Sequence, residues 1–326
     1  MEKSRRILYM RTIFVINPKA GKGKGIDKLV EKIRTASEKT GIKADVYMTK
    51  AVGDAEAFAD LIGKETAASA EEVRLIACGG DGTLNEVLNG AIKYENLTVG
   101  VVPIGTGNDF CRNFPDEGDF LDIEAQLKGR VIKCDAIRYS GLLAGELQSR
   151  YCANMFNIGF DCNVADLTSK LKNNTLIAGS FAYLMGVAIT YIKKKGARLR
   201  VELDGKVIED GPLLLTAIAN GGFCGGGVHS SPYASVTDGK MDVNVIYNVS
   251  RLDFLKKFPH YAKGTHMELP DIDQVLYAGT CRKARITPLD GTMRLCTDGE
   301  IVDAGEIEFE MVPAAFNLLV PAVIKR

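Results

Sequence analysis

The chain has 326 residues, of which 46% are hydrophobic and 25% charged, with 41 basic and 41 acidic side chains. This length suits two ordinary domains, and a formal net charge of zero argues against a basic surface for nucleic acid. Eight scattered cysteines without a C-x-x-C pair, and three histidines, argue against a zinc site or a disulfide framework, so we expect a reducing compartment.

The first half of the chain alternates between strand and helix patterns. Four apolar runs follow one another in the order "TIFVIN", "KADVYMT", "VRLIAC" and "LTVGVVP". Helical patterns separate them, over about residues 26–40, about residues 54–70, and "TLNEVLNGAIKY". This alternation predicts βαβ units and a parallel sheet, in which ligands bind beyond the carboxyl ends of the strands. Three glycine-rich loops fall at those ends: "NPKAGKGKG", "CGGDGT" and "PIGTGNDF".

From about Arg130 the pattern changes to short β-type runs separated by Gly, Asp and Asn, with a D-G hairpin signal in "ELDGKVI". This favours an antiparallel β-sandwich that carries a few helices. We therefore predict a Rossmann-like parallel α/β domain over residues 10–130 and a β-sandwich domain over residues 131–312. Residues 313–326 are a candidate for rejoining the first domain. We expect the active site in the cleft between the domains.

One uncharged stretch, "LIAGSFAYLMGVAITYI" over residues 176–192, calls for a membrane test. A helix needs about 20 apolar residues to span a bilayer. This stretch is shorter and contains Ser180, Thr190 and two tyrosines, so we expect a buried or surface-docked helix rather than a span. Together with "NGGFCGGG" it is a candidate for lining an apolar cleft.

The loop "CGGDGT" combines glycines with a carboxylate. Backbone N–H groups of Gly79, Gly80 and Gly82 can approach an anion closely, and the N-terminus of the next helix adds a favourable field. Asp81 would repel phosphate unless a divalent cation or ordered water lies between them, which indicates Mg²⁺-nucleotide chemistry. The alternative is an ordinary turn in which Asp81 caps the helix.

Taken together, "NPKAGKGKG", "GGDGTLNEVLNG" and "PIGTGNDF" resemble the catalytic domain of diacylglycerol kinases and of the related sphingosine and ceramide kinases. The resemblance is closest to the soluble bacterial diacylglycerol kinase group. G-G-D-G-T alone is shared with NAD kinases and phosphofructokinases, whereas "PIGTGNDFCRNF" resembles the lipid kinases, with Cys111 at a position that is usually Ala. In the second half "NIGFDCNV", "GGGVHSSPYASVTDGKMDV" and "CTDGE" resemble further segments of the family.

The resemblance implies roles for individual residues. Asp298 matches the general base, and Glu300 matches its companion carboxylate near the catalytic Mg²⁺. Asp238 matches a ligand of a structural Mg²⁺, with carbonyl groups at Ser235 and Lys240, and with Asp81 and Asp109 joined to the ion through water. The positions that match nucleotide-binding residues are Asn17, Gly21, Thr49, Gly79, Gly80, Asp81, Gly82, Thr83, Asn85 and Thr106.

The resemblance thus implies a cytoplasmic lipid kinase that uses ATP and Mg²⁺ and meets its lipid substrate peripherally at the inner face of the membrane. The expected acceptor is the hydroxyl group of diacylglycerol, which would give phosphatidic acid. Two alternatives stay open: an NAD kinase-like or other small-molecule kinase, and a nucleotide-binding regulatory protein without turnover. No nucleic-acid partner is expected, and a homodimer is left open.

Overall fold

A computed structural model divides the chain into two compact units. One unit comprises residues 1–134 and 315–326, and the other comprises residues 135–314. The residues described are 10–69, 71–159 and 196–323, so the apolar stretch over residues 176–192 lies outside them.

The first unit contains a parallel sheet flanked by helices. Its strands lie in the order β2–β1–β3–β4, and each neighbouring pair is parallel. Asn317 and Leu318, near the end of the last strand of the chain, pair in parallel with Thr98 and Val99 of β4. The strands are β1 (Met10–Ile16), β2 (Ala44–Met48), β3 (Glu72–Gly79) and β4 (Leu97–Pro103); the helices are α1 (Ile26–Thr40), α2 (Asp54–Thr66), α3 (Asp81–Ala91) and α4 (Ile123–Leu127).

Each predicted element of this half is present, although α2 ends at Thr66, earlier than predicted. The α1 helix shows why its bounds are sharp: Gly25 precedes it and Gly41 follows it, both in the left-handed conformation that glycine adopts without strain. Its buried residues Leu29, Ile33 and Ala36 follow helical spacing and pack on the sheet. The strand order reverses between β1 and β3, and such switch points bind ligands at their carboxyl edge.

The second unit is built from antiparallel strands. Its strands are β5 (Arg130–Leu143), β6 (Glu146–Cys152), β7 (Met155–Gly159), β8 (Ala197–Leu203), β9 (Lys206–Ala219), β10 (Met241–Tyr247), β11 (Leu276–Cys281), β12 (Lys283–Pro288), β13 (Met293–Thr297) and β14 (Glu300–Val320). The first residues of β5 and the last residues of β14 belong to the first unit. One longer helix, α5 (Arg251–Lys263), follows β10. The predicted fold class, a parallel α/β domain followed by an antiparallel β domain, is confirmed.

Two long strands of this unit, β9 and β14, each pair with several other strands. β9 pairs with β7, β8 and β10, and β14 pairs with β12 and β13. Because β7 also pairs with β13, and β8 with β12, the pairings close into a ring of six strands. The core inside includes Phe156, Ile286 and Phe309, all buried, and the Phe156 and Phe309 rings pack edge to face at 4.9 Å.

The D-G hairpin predicted in "ELDGKVI" is confirmed. Asp204 and Gly205 both have positive φ, 47° and 80°, and connect β8 to β9. In the part of the chain that the structure describes, no helix has the length and apolar character needed to cross a bilayer.

Candidate active site

The three glycine-rich loops of the first unit contact one another at the carboxyl ends of β1, β3 and β4. Asn17, directly after β1, donates from Nδ2 to Thr83 Oγ1 over 3.2 Å. The backbone N–H of Gly105, after β4, donates to the carbonyl of Gly79 over 3.0 Å. A Cβ atom at Gly21 would lie 2.9 Å from the carbonyl oxygen of Ile104. The parallel sheet therefore brings together loops that are far apart in sequence.

Two of the glycines have no room for a side chain, Gly105 because of the Gly80 backbone and Gly79 because of the Thr83 side chain. A Cβ atom on Gly105 would lie 2.4 Å from Gly80 Cα, which no real contact tolerates. A Cβ atom on Gly79 would lie 2.2 Å from Thr83 Oγ1. The loops after β3 and β4 can pack this tightly only because these positions carry no side chain.

Asp81 does not cap α3. Gly80 occupies the N-cap and has no side chain that could accept from the first N–H groups of the helix. Asp81 is the first helical residue, and its Oδ1 accepts from the backbone N–H of Phe110 over 3.2 Å. The interpretation of Asp81 as a helix cap is therefore wrong, because the carboxylate orders the neighbouring loop instead. The N-terminus of α3 is left available to an anion.

Asp81 and Asp109 point at the same small space. A Cβ atom on Gly107 would lie 2.9 Å from Asp81 Oδ2 and 3.5 Å from Asp109 Oδ2. Asp109 is buried, and Arg112 Nε lies 3.5 Å from its Oδ1. Burial, with a smaller contribution from the Asp81 charge, raises the pKa of the Cys111 thiol well above its usual value. Two adjacent carboxylates favour a cation between or near them.

The donor set suits a hard divalent cation such as Mg²⁺, which prefers oxygen ligands and keeps several waters. Among the described residues no group of three or more His, Cys, Asp or Glu side chains could hold a metal by itself. An ion beside Asp81 and Asp109 would therefore need water or phosphate oxygens to complete its coordination. This agrees with the resemblance, which implies that both carboxylates contact the ion through water.

Three further predicted nucleotide-binding residues lie at or near this edge without taking part in the loop contacts described above. Thr49 follows β2; it is buried, and its backbone N–H donates to the carbonyl of Ile16 over 2.9 Å. Asn85 lies on α3, where its Oδ1 accepts from Asn89 Nδ2 over 3.2 Å. Thr106 is exposed in the loop after β4.

In the second unit Asp298 lies in a two-residue turn between β13 and β14. Asp298 and Gly299 both have positive φ, 48° and 93°, as the D-G pair requires in such a hairpin. The Asp298 carboxylate is partly buried: Oδ1 accepts from the backbone N–H of Met155 over 3.4 Å, and Oδ2 accepts from the Cys152 thiol over 3.3 Å. Glu300, which begins β14 opposite Thr297, is exposed. The two proposed catalytic carboxylates thus have different surroundings.

The loop that contains Ser235, Asp238 and Lys240 forms a separate turn of the second unit. Asp238 is exposed, and its Oδ1 accepts from the backbone N–H of Lys240 over 3.0 Å. Ser235 Oγ lies 3.4 Å from Thr237 Oγ1. Burial, and then repulsion from Asp238, raise the pKa of the nearby Asp242 to about 6. The turn therefore places the Asp238 and Asp242 carboxylates near each other, and carboxylate oxygens suit a hard cation.

Asp135 supports this turn and was missed by sequence reasoning. Its buried carboxylate accepts from the backbone N–H of Gly239 and from that of Ala314, each over 2.7 Å. Its own backbone N–H donates to the carbonyl of Val236 over 2.8 Å. Asp135 thus fixes the turn on both sides of Asp238. The available signal was an acidic residue inside the strand-like run "VIKCDAIRYS".

The segment "NGGFCGGG", proposed for lipid contact, is packed into the second unit. Asn220 is buried, and its Nδ2 donates to the carbonyls of Asp135 and Ala153 over 3.0 and 2.7 Å. The Phe223 ring stacks on His229 with centroids 4.2 Å apart. These contacts fix the start of the segment, and the other candidate for lipid contact, residues 176–192, lies outside the described residues.

An apolar cavity of about 50 Å³ lies beneath α5, with Leu214, Ile246, Phe254 and Phe258 among its lining residues. A cavity of about 150 Å³ is needed to hold one benzene molecule. We assign no substrate to the cavity beneath α5.

Comparison with known proteins matches both halves of the chain to family models. Residues 11–139 match the family model for the diacylglycerol kinase catalytic domain, and residues 154–320 match that for the YegS C-terminal NAD kinase beta sandwich-like domain. A diacylglycerol kinase of Staphylococcus epidermidis is 30% identical over 305 residues, which cover 92% of this chain and 86% of the relative. A diacylglycerol kinase of Bacillus subtilis is 26% identical over 294 residues, covering 89% of each chain.

A crystal structure of a diacylglycerol kinase from Bacillus anthracis matches the fold with a TM-score of 0.68 at 20% identity, covering 96% of this chain and 98% of that one. At this identity the similarity supports the fold alone. The two family models and the 30% identity over nearly the whole chain decide the family. The chain belongs to the diacylglycerol kinase family of lipid kinases.

Proposed function

We propose that this protein transfers the γ-phosphoryl group of ATP to the hydroxyl group of diacylglycerol, giving phosphatidic acid and ADP. The observation that carries the proposal is the contact among the three glycine-rich loops, with Asn17 bonded to Thr83 and Gly105 packed on Gly80. This arrangement offers backbone N–H groups and a helix N-terminus to phosphate, in a chain that belongs to a lipid kinase family.

In this proposal the first unit binds the nucleotide. The Gly79–Thr83 loop and the N-terminus of α3 receive the phosphates, and the Asn17–Thr83 hydrogen bond keeps the first loop against them. Asp81 and Asp109 would hold Mg²⁺ through water, because their carboxylates share one space. In the second unit, Asp238 with carbonyl groups at Ser235 and Lys240 would hold a structural Mg²⁺, the role that the resemblance implies for them. Bound Mg²⁺ would offset negative charge on the phosphates.

The second unit supplies the base. The acceptor hydroxyl has a high pKa and must lose its proton as its oxygen attacks the γ-phosphorus. The new bond joins that oxygen to phosphorus, the bond to the β–γ bridging oxygen breaks, and ADP leaves. The proton passes to the Asp298 carboxylate, which Cys152 and Met155 hold in place and which is not fully buried. Glu300 lies two residues after Asp298 in the chain, is exposed, and would add negative charge beside the base.

The lipid substrate implies a membrane surface as the place of reaction. We propose peripheral contact with the membrane, because the described residues contain no helix suited to span it. The acceptor class also distinguishes this function from phosphorylation of a small soluble molecule, which would need no lipid surface.

A panel of acceptors tests the proposal. The purified protein is incubated with γ-labelled ATP, Mg²⁺ and, separately, diacylglycerol, ceramide, sphingosine in mixed micelles, or NAD in buffer. We expect the label in phosphatidic acid, with little transfer to the other three acceptors. Efficient labelling of NAD without lipid would support the small-molecule kinase instead, and ATP binding without transfer to any acceptor would support a regulatory protein. Either result contradicts the proposal.

A further inference from the structure

The Cys152 thiol contacts the carboxylate of Asp298. The distance from Sγ to Oδ2 is 3.3 Å, and Cys152 is completely buried at the end of β6. The same thiol lies 3.7 Å from the carbonyl oxygen of Met155, so its single proton has two acceptors within reach. The carboxylate is both nearer and charged, and a charged acceptor makes the stronger hydrogen bond. The thiol therefore donates its hydrogen bond mainly to the Asp298 carboxylate.

A backbone group also contacts the Asp298 carboxylate. Asp298 lies in a two-residue turn and has a φ of 48°. Its Oδ1 accepts from the backbone N–H of Met155 at 3.4 Å, which is a long hydrogen bond. The thiol on Oδ2 is thus a second, independent restraint on the direction of the carboxylate.

We propose that Cys152 is a positioning residue that holds the Asp298 carboxylate in the orientation that accepts the proton of the substrate hydroxyl. The inference rests on the proposed function, in which Asp298 is the base. Cysteine suits the position because it packs as a small apolar side chain in the core formed with Phe156 and Leu295 and still offers a weak donor. An aliphatic residue would fill the core without holding the carboxylate.

Two substitutions separate positioning from packing. Cys152→Ala removes the donor, and Cys152→Ser keeps a donor on a side chain of similar size. Cys281→Ala is the matched control, because Cys281 is also buried in this core, and its pKa is raised mainly by burial and by the charges of Asp204 and Asp242 rather than by Asp298. Although its acceptor is charged, a thiol is a weak donor, so we take the roughly two- to tenfold effect that is typical of one hydrogen bond. We expect Cys152→Ala to lower kcat by about that factor with the KM for ATP unchanged, Cys152→Ser to retain more turnover, and Cys281→Ala to match the wild type.

A spectroscopic measurement reports the contact without activity. The infrared difference between wild type and Cys152→Ala isolates the S–H stretching band of Cys152, and the difference with Cys281→Ala isolates that of Cys281. Because hydrogen bonding to a carboxylate weakens the S–H bond, the Cys152 band should lie at lower frequency and should move in Asp298→Ala. A band that does not respond to Asp298→Ala would overturn the inference.

The kinetics in an Asp298→Asn background complete the test. If Cys152 acts through Asp298, adding Cys152→Ala to Asp298→Asn should cause no further loss of turnover. An inactive Asp298→Asn protein beside a Cys152→Ala protein that matches Cys281→Ala would overturn the positioning role and leave the proposed function intact. A fully active Asp298→Asn protein would instead overturn the role of Asp298 as the base, and with it the positioning role.

Discussion

The Asn17 side chain donates from Nδ2 to Thr83 Oγ1 over 3.2 Å, and so ties the loop after β1 to the first turn of α3. Asn17 Oδ1 also accepts from the backbone N–H of Lys19 over 2.9 Å, so the side chain orders its own loop as well. The Asn17 side-chain amide therefore holds two of the three glycine-rich loops together at the edge of the sheet where we place the phosphates.

Asn17→Ala should weaken ATP binding as well as the fold. The lost hydrogen bonds should cost about 0.5–1.5 kcal/mol each in the free energy of unfolding. We expect the KM for ATP to rise several-fold, because the first loop is no longer held against Thr83. The control is Asn96→Ala. Asn96 also bonds through its amide, to Thr66 Oγ1 at 2.8 Å, but it lies just before β4, at the opposite end of the strands from the loops. It should lose stability with its KM for ATP unchanged, and equal KM values in both variants would contradict the role of Asn17.

Gly105→Ala should disturb the loops by steric conflict. The added Cβ atom would lie 2.4 Å from Gly80 Cα and 2.8 Å from Gly80 N, so the backbone of one loop must shift. Overpacking of this kind costs about 1–3 kcal/mol, and a loss of that size in ATP binding corresponds to roughly a five- to 150-fold rise in Kd. Gly211→Ala is a control without conflict, since its nearest atom would be 3.8 Å away. Calorimetric titration with ATP measures both; an unchanged Kd in Gly105→Ala would remove the loop from the nucleotide site.

Substitutions of Asp81 should separate its structural role from its charge. Asp81→Asn keeps an oxygen that can accept from the Phe110 N–H, whereas Asp81→Ala loses it, at a cost of about 0.5–1.5 kcal/mol in stability. Both remove the charge that shares its space with Asp109, so both should require more Mg²⁺ for half-maximal turnover. In Mg²⁺-free buffer Asp81→Asn should be at least as stable as the wild type, because the repulsion from Asp109 is relieved. A Mg²⁺ requirement unchanged in Asp81→Asn would exclude a role in metal binding.

Stability should fall in mild acid because of His266. Burial lowers the pKa of this imidazole from 6.5 to about 4. The unfolded chain then binds more protons than the folded one between these values, so the contribution is complete above pH 6.5 and is lost as the pH falls toward 4. At pH 5 the loss should be about 1–2 kcal/mol. His266→Phe should show a weaker pH dependence of the free energy of unfolding, although His229, whose pKa burial also lowers, keeps part of it. Parallel pH profiles for the two proteins would contradict this assignment.

The parts of the fold that were predictable depend on local pattern. The helix α1 follows from apolar spacing between Gly25 and Gly41, and the D-G turns at Asp204 and Asp298 follow from two adjacent residues. The gathering of the first-unit loops was also predictable, because parallel strands carry their carboxyl ends to one edge. The ring of strands in the second unit could not be predicted, because it depends on β9 and β14 each pairing with different strands along their length.

The supporting residues of the candidate site were beyond the sequence. The bond from the Gly239 N–H to the Asp135 carboxylate joins positions 104 residues apart, and that from Cys152 to Asp298 joins positions 146 residues apart. Neither Asp135 nor Cys152 belongs to a motif, and both are identified only by what surrounds them after folding. The prediction that Asp81 could cap the helix was wrong for the same reason. Its partner, the Phe110 N–H, lies in a different loop.

Turnover of Asp298→Asn, measured with diacylglycerol and ATP beside a nucleotide-binding titration, tests the proposed chemistry most directly. Asparagine keeps an acceptor for the Met155 N–H, so the turn between β13 and β14 should persist and ATP affinity should change little. Its amide cannot take the hydroxyl proton. General-base catalysis contributes about 10²–10⁴-fold in rate, so kcat should fall by at least the lower figure. Turnover within a few-fold of the wild type, with ATP bound normally, would contradict the role of Asp298 as the base and leave Glu300 as the next candidate.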